Sequence, residues 1–151
     1  MDDIRKVANL DLSGVTIAVD FDGTCVMHEF PDIGKDVPYA VDVLKALSSA
    51  GARLILWTMR SDKQSAIIGS PTETDAAYFL QHAVNWFAAK EIPLFGANAN
   101  PEQVSWTDSP KAYAQIYIDD AALGCPLREI GHSRPYVDWL RVAEWFTGTY
   151  E

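Results

Sequence analysis

The stretch Val15-Thr16-Ile17-Ala18-Val19-Asp20-Phe21-Asp22-Gly23-Thr24 decides how this chain is read. Its first five residues are apolar or β-branched, the composition of a short buried strand. The run stops at Asp20, two positions before a second acid, and Gly23 allows the backbone to turn there without a Cβ penalty. If the strand direction continued through the pair, Asp20 and Asp22 would point to the same side. Two carboxylates converging at a strand end repel each other, so the arrangement is costly without a cation. Mg2+, which prefers hard oxygen ligands, relieves that cost. The plainer alternative is a turn, with Asp22-Gly23 as turn residues and Asp20 as a cap.

Working outward, Pro38 is placed to open a helix, with Val41, Leu44 and Leu47 at helical spacing and Gly51 as its C′ residue. Arg53-Leu54-Ile55-Leu56-Trp57 reads as a second strand ending at Thr58. Residues 61–73 are polar and punctuated by Gly and Pro, which predicts a loop. Thr72 and Asp75 resemble a capping box for a helix carrying Phe79, Leu80, Ala83, Val84 and Phe87 on one stripe. A third strand is predicted at Ile92–Gly96, shortened by Pro93. After a turn-rich stretch, Gln115–Ile118 forms a fourth strand ending at Asp119-Asp120. A final helix is predicted from Pro135 to Phe146, burying Val137, Leu140, Trp145 and Phe146. Apolar strands alternating with helices predict an α/β, three-layer Rossmann-like domain with a mostly parallel sheet, spanning residues 1–151 as one unit. In such sheets ligands bind beyond the carboxyl ends of the strands.

Composition narrows the function. Of 151 residues, 48% are hydrophobic and 22% charged, ordinary globular usage. Lys and Arg number 12 against 21 Asp and Glu, a net charge of −9. That balance disfavours duplex nucleic acid and anionic membrane as partners. No apolar run approaches membrane-span length. The start Met1-Asp2-Asp3-Ile4-Arg5-Lys6 has no apolar stretch behind it, so a cytoplasmic protein is expected. Cys25 and Cys125 lack CxxC spacing and read as free thiols.

The polar residues of interest fall at or just after the predicted strand ends, or shortly before the fourth strand. Asp119-Asp120 forms a second acidic cluster, and two such clusters at two strand ends favour a metal site more than either alone. Thr58 can donate a hydroxyl to a phosphoryl oxygen. Lys111 can hold an anionic group as a point charge. In this order, acid–x–acid–Gly–Thr, strand–Thr, Lys, strand–Asp-Asp, the chain resembles the haloacid dehalogenase-like superfamily of phosphohydrolases. The resemblance runs from about Val15 to Leu123, and the pentapeptide Asp20–Thr24 is its most specific part.

The resemblance implies a Mg2+-dependent phosphatase. Asp20 would be the nucleophile that forms an aspartyl-phosphate. Asp22 would protonate the leaving alcohol and then activate water. Thr58 and Lys111 would hold the phosphoryl oxygens. Asp20, the Asp22 carbonyl and Asp119 or Asp120 would form the metal shell, with Asp119, the first acid after the strand, favoured as the direct ligand. Between Thr24 and Pro38 only a short flap fits, which predicts a member without a cap domain, its open site either admitting a large substrate or closed by a second copy of the chain, with the 61–73 loop as a partial lid. His28, Arg60 and Cys25 are candidates for the rim; for Arg60 the alternative is an ion pair with one of the many acids. A small phosphorylated metabolite is the expected substrate. The rival functions are a phospho-receiver domain, against which the absence of an Asp at Gly96-Ala97-Asn98 counts, and a catalytically silent binding module on the same fold.

Overall fold

Thr16–Val19 forms β1, with all four residues buried. The computed structural model describes residues 2–62, 78–131 and 134–148. In chain order they form α1 (Asp2–Ala8), β1, α2 (Ala40–Ser49), β2 (Arg53–Leu56), α3 (Phe79–Ala89), β3 (Gly96–Ala97), a 3₁₀ turn (Gln103–Ser105), β4 (Ile116–Ile118), β5 (Leu127–Arg128), β6 (Tyr136–Val137) and α4 (Trp139–Thr147). The main sheet has the order β3-β2-β1-β4, and every pairing in it is parallel. This is the Rossmann-like α/β class that the alternation of strands and helices predicts.

The register places the chemistry. Val19 pairs with Leu56 on one side and with Ile118 on the other. Asp20, Trp57-Thr58 and Asp119 therefore leave three adjacent strands at the same level. The core beneath them is built from Ile17, Val19, Leu54, Leu56 and Ile118 on the strands, Val43, Leu44 and Leu47 on α2, and Phe87 on α3. α1, α2 and α4 pack on one another, and Val7 of α1 is fully buried.

Several expected boundaries move. α2 begins at Ala40, two residues past Pro38, because Tyr39 takes a left-handed conformation (φ 66°) as its N-cap. β3 is only Gly96–Ala97 and lies later than expected; Pro93 has no N–H for a ladder, and pairing with β2 starts where Phe95 N–H donates to the Leu54 carbonyl at 2.7 Å. The last helix starts at Trp139 and not Pro135, because Tyr136–Val137 pairs antiparallel with Leu127–Arg128 and Asp138 caps the helix by accepting from Arg141 N–H. The buried residues of the helix are then Trp139, Val142 and Ala143; of the residues expected to be buried, Val137 is buried on β6, Phe146 packs against the core, and Trp145 is 44% exposed. α1 was not expected: its single buried residue leaves too little periodicity to read. The predicted 61–73 loop falls largely, and the Thr72/Asp75 capping box wholly, outside the described residues.

Candidate functional site

After β1 the chain curls tightly. The Phe21 carbonyl accepts from the N–H groups of Thr24 (3.1 Å), Cys25 (2.8 Å) and Val26 (3.3 Å), and Gly23 N–H donates to the Val26 carbonyl at 2.7 Å. A narrow hairpin follows: Met27 N–H donates to Lys35 and Val37 N–H to Cys25. This is the short flap predicted between Thr24 and Pro38. The curl is clasped from the far end of the chain. Val137 N–H donates to the Gly23 carbonyl at 3.0 Å, and the buried Trp139 indole donates to the Thr24 carbonyl at 2.7 Å.

Asp20, Asp119 and Asp120 converge, each offering a carboxylate oxygen within 4.8 Å of the others. The buried Thr24 hydroxyl ties the two acidic segments together, donating to Asp20 Oδ2 at 3.1 Å and accepting from Asp120 N–H at 3.2 Å. His28 Nε2 is hydrogen-bonded to Asp120 Oδ2 at 2.9 Å. Burial, the hydrogen bond with Asp120 and the charge of Asp119 push the Asp20 carboxyl up to about 8. Burial also raises Asp119, opposed by the Ala121 N–H that its carboxylate accepts at 2.8 Å. Three crowded, hard oxygen donors of this kind are the donor set a divalent cation takes, and a cation there removes the cost of ionising them.

A cleft of about 350 Å³ opens beside the triad, lined by Asp20, Trp57, Thr58, Met59, Asn98, Pro110 and Asp119. The backbone at Thr58 is held by Asn98, which accepts from Thr58 N–H at 2.8 Å and donates to the Arg60 carbonyl at 3.1 Å. Asn98 has φ 54°, a left-handed conformation that Asn tolerates better than most residues. Its position after a strand end was the only sequence signal of that role. Lys111 is exposed and is not among the residues that line the cleft; it follows Pro110, with Nζ 5.1 Å from the centre of the Tyr117 ring. Gln103 fixes its loop, donating to the Ser109 and Lys111 carbonyls and accepting from Tyr113 N–H.

The Asp22 carboxylate is not one of the three that converge, and both its oxygens accept from Arg60 at 2.8 Å. Arg60 is thus the ion-pair residue of the two alternatives, and His28 contacts an acid of the triad. Cys25 and Cys125 are free thiols, both pushed up by burial, and Cys25 donates to the Asp20 carbonyl at 3.3 Å. Among the described residues no helix is long and apolar enough to cross a membrane.

No protein-family model matches the chain, and no curated protein matches it. Among solved structures it is similar to a conserved protein coded by a locus of Bacteroides thetaiotaomicron, with 33% sequence identity over 91% of this chain and 93% of that one and a TM-score of 0.65. That likeness supports the α/β fold and carries no activity with it.

Proposed function

We propose that this chain, which belongs to the same family as the conserved Bacteroides thetaiotaomicron protein, is a Mg2+-dependent phosphatase of the haloacid dehalogenase-like type, working through an aspartyl-phosphate on Asp20. The observation that carries the reading is the convergence of Asp20, Asp119 and Asp120 at the ends of two paired strands, beside a cleft that also holds Thr58. Mg2+, when bound, supplies positive charge that keeps the carboxylates ionised and offsets the phosphate. Asp20 attacks phosphorus, Thr58 donates to a phosphoryl oxygen, and Lys111, the residue after the cleft-lining Pro110, is the point charge of this reading. Asp22 is the acid–base residue of this reading. A small phosphorylated metabolite fits a negatively charged protein better than duplex nucleic acid does, and a cytoplasmic setting suits free thiols.

The test is a phosphatase screen over small phosphorylated metabolites with and without Mg2+, run beside Asp20→Asn. Turnover is expected to need Mg2+ and to vanish in the variant, and beryllofluoride is expected to add to Asp20. Turnover that survives both EDTA and Asp20→Asn sinks the mechanism.

A further inference from the structure

Arg60 is the charged residue buried most completely among those described, at 2% exposure. Its guanidinium has five N–H groups, and the surroundings take up all five. Nε and one Nη donate to the two oxygens of Asp22 at 2.8 Å each. That Nη also donates to the Asp32 carbonyl at 2.9 Å, and the other donates to the Pro31 and Phe79 carbonyls at 3.3 and 3.4 Å. Phe21 and Phe30 rings lie about the same guanidinium, with centres 5.1 and 5.0 Å from its carbon. The Arg60 main chain is fixed to the cleft as well, through the Thr58 hydroxyl at 3.1 Å and the Asn98 amide.

An arginine that bound the phosphoryl group would keep donors free for it. This one has none left, so any effect it has on the reaction passes through its partner. In the pair the arginine side chain is 1% exposed and Asp22 is 18% exposed, so the accessible member is the acid. The fork occupies one lone pair on each Asp22 oxygen and fixes the plane of the carboxylate, leaving further acceptor sites.

We propose that Arg60 is a positioning residue that holds the Asp22 carboxylate oriented to take the proton of the water that hydrolyses phospho-Asp20. The proposal rests on the phosphatase reading above. In the step concerned, the water oxygen bonds to phosphorus, the bond from phosphorus to Asp20 breaks, a water proton passes to Asp22, and inorganic phosphate leaves. Lys in place of Arg keeps the charge and loses the fork.

Acetyl phosphate separates this step from the first one. Asp20 attacks its phosphorus and acetate departs as an anion, with no proton required. Wild type, Arg60→Lys, Arg60→Met, Asp22→Asn and the double variant Asp22→Asn/Arg60→Met are given acetyl phosphate and Mg2+, and phosphate on Asp20 is followed by intact mass. All are expected to acquire it. Its decay is expected to slow roughly 10²–10⁴-fold in Asp22→Asn and in the Arg60 variants, the scale of general acid–base assistance. The double variant is expected to decay no more slowly than Asp22→Asn. Wild-type decay in Arg60→Lys and Arg60→Met overturns the proposal, as do multiplicative effects in the double variant. If Arg60→Met does not fold, Arg60→Lys with Asp22→Asn decides. Should no form, wild type included, take phosphate or beryllofluoride on Asp20, the phosphatase reading itself fails.

Discussion

Gly23 has φ +84°, and a Cβ there would run into the His28 ring and the Asp120 carboxylate. Glycine is needed twice over, for the backbone angle and for the close approach of the acid that follows β4. Gly23→Ala is expected to cost roughly 1–3 kcal/mol, read from the urea midpoint, and to weaken beryllofluoride capture; a midpoint equal to wild type contradicts this. At this scale the sequence was informative where residue type and strand end coincide, as for Asp20, Thr58 and Asp119-Asp120. It was silent where a role depends on a partner far along the chain. Nothing in Asp22 or Arg60 alone says that one forks the other across 38 positions, and nothing in Thr24 says that it joins two acidic segments.

The elements divide in the same way. β1, β2 and β4 were legible because continuous β-branched and aliphatic runs are what a strand buried on both faces requires. β3 was misplaced because only two of its residues pair, and α4 because a two-residue strand precedes it and the cap is a single Asp138. That small change of boundary brings Trp139 under the curl, where its indole meets the Thr24 carbonyl. Trp139→Phe keeps most of the apolar bulk and leaves that carbonyl without its donor. We expect a loss of about 1–3 kcal/mol by urea unfolding, with cation binding weakened in parallel because the curl carries Thr24. A variant that unfolds like wild type would show that the bond is dispensable.

Across the whole molecule, the sheet order gathers three acids whose ionisation bears on stability. The unfolded chain ionises Asp20 near 3.8, and the folded one, without a cation, near 8. Between those values the native state keeps a proton that the unfolded state has released, so this group's contribution to stability falls as pH rises through the window. Asp119, also raised, acts in the same sense. A divalent cation competes with that proton, so added Mg2+ is expected to raise Tm more near pH 8 than near pH 5. At a hundred times its Kd it would add about 2.7 kcal/mol. Asp119→Asn and Asp120→Asn are expected to reduce the increment; an increment independent of pH and of both acids refutes the cation site. The fold class was legible at this scale because the strand–helix alternation admits few architectures. The site was legible as a set of strand ends and not as a set of contacts, since the assignment of each carboxylate to its neighbour is settled only by packing.

A hydroxyl owns one hydrogen. In Thr24 that hydrogen points to Asp20, while the oxygen receives the amide of Asp120. With the side chain sealed from solvent, water offers no competing recipient. The three acids are therefore unequal before anything binds. Asp20 alone is addressed by this donor, and the folded chain by itself gives each member of the cluster a distinct identity that a symmetric trio of carboxylates would lack.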